Sequence, residues 1–258
     1  MNNKKFFSSE NAVSEVVDFV TILSLLVLSI GLIGVAGYPI VKNAQEANHI
    51  ENTRQSFIVL ANNVNKVVMG QAPSQNVELK MYGGSLSVTG NSSINITANS
   101  TNVSTGNIER IILVYDTKMR SIESTVGDIV IAYEGTGVWA KYPNGNTILI
   151  SKPLITSQNN MLIIPVVTID GTSSVGGSGM SRVTAKGVPT ITFYNNVSDI
   201  IVTINSSYSS GWKNYIDNEM PWNFCFSIGL PGECAVPLNM AKNIDVYILD
   251  IKLKTGVL

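Results

Sequence analysis

Residues 19–41 read FVTILSLLVLSIGLIGVAGYPIV, and none of these 23 residues is charged. As a helix rising 1.5 Å per residue, the run measures roughly 35 Å. That is enough to cross a bilayer core of about 30 Å. A secretory signal has an apolar core of only about 7–15 residues before its cleavage site; this run is longer, and the segment after it has a helical pattern. Lys4 and Lys5 precede it, with Glu10, Glu15 and Asp18 in between. Counting Lys and Arg near the ends predicts a cytoplasmic N-terminus, a vote that Lys42 and Arg54 on the far side weaken. The rival reading is a buried core helix of a soluble protein.

Beyond Pro39 the chain continues IVKNAQEANHIENTRQSFIVLANNVNKVVMGQ. Ile40, Ala44, Ala47, Ile50, Phe57, Ala61, Val64 and Val68 trace one helical stripe, flanked by Val41, Ile58, Leu60 and Val67 and broken only around Arg54. Pro39 removes one backbone donor and is expected to kink the helix without ending it. Gly70 is the expected stop. The first 70 residues therefore read as one long kinked helix. Its first half is apolar all round, and its second half is amphipathic and must lie on something.

The composition of the whole chain narrows the rest. There are 258 residues, with 17 Lys+Arg against 18 Asp+Glu, and charged residues make up 14%. An ordinary soluble domain has roughly 25%. Without a cation excess there is no nucleic-acid footprint. One His and two Cys cannot assemble a four-ligand N/S zinc site. No cofactor or metal motif is present: the Gly-rich stretch 171–179 matches neither GxGxxG nor the P-loop and reads as a loop or hairpin tip.

From Asn76 the periodicity switches to two. IERIILVYD, GDIVIAYEG, NMLIIPVVTID, VPTITFYN, SDIIVTINSS and NIDVYILDIKLK are rich in Val, Ile, Thr and Tyr and bounded by Gly, Asn and Pro. Val138–Tyr142 and Thr147–Ser151 form the clearest hairpin, turning through Pro143-Asn144-Gly145-Asn146. Residues 209–218 read as a short helix. The expected fold class is α+β, a long kinked N-terminal helix packed on a β-rich antiparallel head. The expected organisation is a leader-like segment 1–12, a membrane helix 13–41, its amphipathic continuation 42–70 and the head 71–258.

Cys225 and Cys234 flank a Pro231-Gly232 turn signal and are expected to form a disulfide, as suits an oxidising exterior. Sequons occur at Asn91, Asn95, Asn99, Asn102, Asn196 and Asn205. The first four cluster in NSSINITANSTNVSTGN, which reads as an exposed loop or edge, and are the glycosylation candidates.

The junction Asn11-Ala12-Val13-Ser14-Glu15-Val16-Val17-Asp18-Phe19-Val20, leading into the apolar run, resembles the N-terminus of archaeal type IV pilin-like proteins. The resemblance covers about residues 9–40. It implies processing by a prepilin-type peptidase between Glu10 and Val13, near Ala12, and assembly with other pilin-like subunits through the apolar helices. Glu15 and Asp18 are three residues apart and share a helix face. A carboxylate at bilayer depth is costly unless paired, and a neighbour's freed α-amino group would supply that pair in a filament. The ordinary reading is that both sit in the headgroup layer and favour the helix dipole.

Catalytic patterns are thin. His49, the single His, reads as part of a solvated helix flank. Ser210-x-x-Lys213 and Lys254-Thr255-Gly256 match fragments of the penicillin-recognising signature, but in the wrong arrangement for that fold. Carboxylate pairs such as Asp116 with Glu123, or Asp217 with Glu219, have nothing in the sequence that selects them. The expectation is a non-enzymatic, single-pass surface protein with an external head, anchored in membrane lipid or shed in a filament. The alternatives are a monomeric anchor whose head binds a ligand or glycan, and, more weakly, a surface hydrolase.

Overall fold

The structure, a computed structural model, describes residues 10–102, 104–171, 173–220, 225–228 and 243–257. Helix α1 runs from Glu10 to Val68 and passes through Pro39. One ladder bond is lost there, yet the helix carries on as the resumed periodicity requires. It ends in a Schellman motif. Gln71 N–H donates to the Lys66 carbonyl at 2.8 Å and Gly70 N–H to that of Val67 at 3.0 Å, with Gly70 at φ +69°. The chain divides into two compact units, residues 1–48 and 49–258, so α1 contributes to both.

The second unit is built on thirteen strands among the described residues. In chain order they are β1 (Ser74–Thr89), β2 (Ser93–Thr101), β3 (Ile108–Lys118), β4 (Ser121–Val126), β5 (Ile129–Glu134), β6 (Gly137–Lys141), β7 (Thr147–Ser151), β8 (Thr156–Gln158), β9 (Met161–Asp170), β10 (Ser174–Lys186) and β11 (Thr190–Asn205). Helix α2 (Ser209–Glu219) comes next, then β12 (Cys225–Ile228) and β13 (Ile244–Val257). The sheet order is β3-β2-β11-β13-β10-β1-β4-β5-β6-β7, with β12 beside β11, β9 beside β13 and β8 beside β9. An α+β layout is therefore present. The sheet is mixed, however, because β13–β9 and β11–β12 pair in parallel.

The end of α1 supplies one core. Phe57, Leu60, Ala61, Val64, Val67 and Val68 are buried against Val77, Leu79 and Met81 of β1, Ile131 and Tyr133 of β5, and Ile251 and Leu253 of β13. The second core gathers Trp212 and Tyr215 of α2 with Ile94 and Ile96 of β2, Trp139 of β6, Leu162 and Ile164 of β9, and Val246 and Ile248 of β13. Strand β5 feeds both, Ile131 and Tyr133 to the first and Ala132 to the second. A strand covered on both faces reads as a continuous apolar run.

Three expectations need correction. From Ile50 the apolar stripe belongs to the second unit and packs into its core, whereas Ile40 and Val41 belong to the first unit and are 69% and 56% exposed. Its apparent break at Arg54 is bridged by Thr53, buried between Ile50 and Phe57, whose hydroxyl donates to the His49 carbonyl at 2.8 Å. A Thr that satisfies itself one turn back can occupy an apolar stripe. Next, residues 174–179 are not a loop but the start of β10, paired with Ser87–Met81 of β1 across a register shift at Tyr82/Ser85. Glycines there suit a bulge and close backbone approach. Finally, the sequon-rich segment is neither loop nor edge over Ser93–Thr101. It is β2, hydrogen-bonded to β3 on one side and β11 on the other. Its polar residues alternate with buried Ile94, Ile96 and Ala98.

Candidate functional site

Within the first unit, the large apolar side chains of α1 from Val16 to Val41 are exposed, ranging from Leu23 at 48% to Val35 at 79%. The helix is long and apolar enough to cross a membrane, with a mean hydropathy of 2.6 over an 18-residue window that is not buried. Three of its hydroxyls, on Thr21, Ser24 and Ser29, are already satisfied. Thr21 donates to the carbonyls of Val17 and Asp18, Ser24 to Val20 at 2.7 Å and Ser29 to Leu25 at 2.7 Å. Such back-bonding removes the penalty for a donor placed in hydrocarbon. Gly31, Gly34 and Gly37 each cost a water-exposed helix about 1 kcal/mol against Ala, yet glycine is common in membrane helices. Glu15 and Asp18 are exposed at the start of the run.

The second unit holds a buried polar network that sequence reasoning missed. Glu134, at the end of β5, is 1% exposed. Its Oε1 accepts from Ser206 Oγ at 2.5 Å and from Trp212 Nε1 at 3.0 Å, and its backbone carbonyl accepts from Trp139 Nε1 at 3.1 Å. Glu123 Oε1 accepts from Tyr208 OH and Ser121 Oγ, both at 2.6 Å. Burial pushes the Glu134 carboxyl above its ordinary range, and the nearby charge of Glu123 adds to this, while the bonds from Ser206 and Trp212 oppose it. Burial, then Glu123, raises the Tyr208 hydroxyl. Burial also pushes Tyr215 up to about 12.

No ion pair reaches Glu134 among the described residues. An acid whose folded pKa is raised favours the fold below its unfolded value near 4.5, and that contribution is lost as pH rises through the folded value. Glu134→Gln keeps an acceptor for Ser206 and Trp212 and removes the charge. The melting temperature of the wild type is therefore expected to fall relative to that of Glu134→Gln between pH 4.5 and 7.5. A difference between the two proteins that does not change with pH would overturn this assignment.

Residues 11–248 match DUF7289, a family of unknown function. The chain belongs to the DUF7289 family. An uncharacterized protein of Archaeoglobus fulgidus is 23% identical over 210 residues, covering 66% of this chain and 69% of the relative. No solved structure matches.

In this DUF7289 chain the other candidate residues are dispersed. His49 is not on a solvated flank: it is half-buried and stacked on Tyr82, with ring centroids 4.3 Å apart. Ser210 Oγ accepts from the Thr147 backbone N–H, while Lys213 pairs with Asp217 at 3.2 Å. Lys254–Gly256 lies on β13, paired with β10. Asp116 is exposed, and Glu219 pairs with Lys152 at 2.7 Å. Ala12 and Val13 fall in the first turn of α1. Cys225 begins β12, and Cys234 lies outside the described residues, as does their pairing. No group of three His, Cys, Asp or Glu residues suited to a metal occurs among the described residues.

Proposed function

We propose that this DUF7289 chain is a membrane-anchored, pilin-like surface protein whose N-terminal helix anchors it in lipid and packs with like helices, with the β-rich unit held outside as the surface-contacting head. One observation carries the reading. The large apolar side chains of α1 from Val16 to Val41 are exposed, while among the described residues the two cores of the second unit begin at Ile50. An uncharged helix of this length left in water would be a large aggregation liability. Lipid, or a bundle of identical helices, relieves it. The junction at Ala12–Asp18 supports the pilin-like form of the anchor, and the relative from an archaeon fits the archaeal side of that resemblance alone.

Two measurements test it. N-terminal sequencing of protein from shed surface material is expected to begin between Asn11 and Val13. A start at Met1 or Asn2 would favour a monomeric single-pass anchor instead. Glu15→Leu is expected to lower filament incorporation at least about tenfold while leaving membrane insertion intact, since an α-amino group left unpaired in a low-dielectric bundle costs several kcal/mol. Asp18→Leu is the control, one turn further from the junction. Normal assembly of both variants would remove the polymer reading.

A further inference from the structure

We propose that the second unit carries N-linked glycans at Asn91, Asn196 and Asn205, and that Asn95, Asn99 and Asn102 remain unmodified. The inference rests on the external head proposed above. All six asparagines stand in Asn-x-Ser/Thr tripeptides with no proline between. The transfer joins the side-chain amide nitrogen to the anomeric carbon of a sugar carried on a lipid-linked phosphate. The carbon–oxygen bond to the phosphate breaks, the phosphate leaves with the electron pair, and the amide loses one proton to a base. A hydrated sugar is far larger than the hydrogen it replaces, so the finished fold must leave that nitrogen facing water.

The fold separates the six sequons on this criterion. Asn95 lies on β2 between two other strands, and its Oδ1 is buried with no hydrogen-bond partner. The Asn99 amide is held at both ends: Nδ2 donates to Asp199 Oδ2 at 2.8 Å, and Oδ1 accepts from Arg110 Nη1 at 3.0 Å. Arg110 also donates to Thr97 Oγ1 and to the Asp199 carbonyl, so a sugar on Asn99 would have to fit among the polar side chains where β2, β3 and β11 meet. Asn102 is held likewise, donating to Glu109 Oε1 at 3.0 Å and accepting from the Ser104 N–H at 2.9 Å. Transfer removes only one of the two Nδ2 hydrogens, but in both residues that nitrogen faces a carboxylate, so a sugar there competes for space with Asp199 or Glu109.

The other three differ. Asn91 is exposed in the turn before β2. Asn196 is exposed at the β11 bulge with φ +53°, where only its backbone N–H is engaged, with Asp245 Oδ1 at 3.1 Å. Asn205 is exposed at the end of β11 opposite Ser93. None of these three side-chain amides makes a hydrogen bond among the described residues. The Asn205–Ser93 pairing sets Asn205 beside Asn91 at one end of β2. Asn196 lies near the other end, where Ser198 faces Asn99. At about 3.3 Å per residue the two ends are roughly 20 Å apart, so a glycan on Asn196 is well separated from those on Asn91 and Asn205, which share one end.

The test uses full-length protein isolated from native membranes, with peptide mass spectrometry under fragmentation that keeps the sugar attached. Saccharide is expected on Asn91, Asn196 and Asn205 only. The triple variant Asn91→Gln, Asn196→Gln, Asn205→Gln should lose all of the added mass. Saccharide on Asn95, Asn99 or Asn102, or none on the three exposed sites, overturns the inference. Protease treatment of intact cells, run in parallel, separates the two levels. A head that is cleaved from outside but unmodified defeats the glycan inference alone. A head that is protected and unmodified defeats the external placement as well.

Discussion

Phe57→Asp is expected to unfold the second unit at temperatures where the wild type is stable. Phe57 is fully buried in the core between α1 and the sheet. Removing a buried Phe ring alone costs about 3–5 kcal/mol. A carboxylate left there without a partner adds a further penalty or takes up a proton to avoid it. The sum, about 5 kcal/mol or more, is comparable with the whole stability of a typical domain, about 5–15 kcal/mol. Val59→Asp is the matched control: Val59 lies two residues away on the same helix and is 51% exposed, where substitutions typically change stability by about 0.5 kcal/mol or less. Far-UV circular dichroism melts of the two variants decide the matter. Equal melting temperatures would show that this segment of α1 is not docked on the sheet. His49→Ala should fall between them, because it removes the stack on Tyr82.

Gly135→Ala is expected to cost about 3–4 kcal/mol, far more than its single methyl suggests. Gly135 forms the β5–β6 turn with Thr136, at φ +56° and +68°. Alanine in the left-handed region costs roughly 1–2 kcal/mol. An added Cβ would also lie 2.6 Å and 2.9 Å from two ring carbons of Trp212. That ring has little room to retreat. It packs on Trp139 with centroids 4.7 Å apart and donates to Glu134, so overpacking adds about 1–3 kcal/mol. Gly145→Ala isolates the backbone contribution, since Gly145 has φ +84° with nothing within 4 Å of an added Cβ. Chemical denaturation should show a clearly smaller loss for Gly145→Ala. Losses of equal size would mean that Trp212 does not hold the turn.

The same turn shows how far the sequence could be read. The Gly135-Thr136 dipeptide between two apolar runs marks a hairpin, but not a buried one. Its burial depends on Asn65 of α1, whose Nδ2 donates to the Thr136 carbonyl at 3.1 Å and whose Oδ1 accepts from Tyr133 OH at 2.9 Å. Those partners are about 70 residues away in sequence, and periodicity carries no information over that distance. The unbroken stripe at Thr53 and the strand β2 escape the sequence pattern for a related reason. Hydroxyl and amide side chains look solvated in a pattern count, yet a local or cross-strand hydrogen bond makes them acceptable inside a sheet or a helix stripe.

What the amino-acid order alone determined was everything set by local period and length: an uncharged helix long enough for a bilayer, its continuation through Pro39, its end at Gly70, and most of the strands with the β6–β7 hairpin. These features need only neighbours within a turn or a pleat. The tertiary structure alone decided the rest. It brought Glu134, Ser206, Trp212, Glu123 and Tyr208 into one buried network and placed β9 parallel to β13. It also sorted six equivalent sequons into two held amides, Asn99 and Asn102, one with its amide oxygen buried, Asn95, and three exposed ones. Each of those outcomes depends on which distant segments share a surface, and water leaves a polar group only where such a segment arrives to replace it.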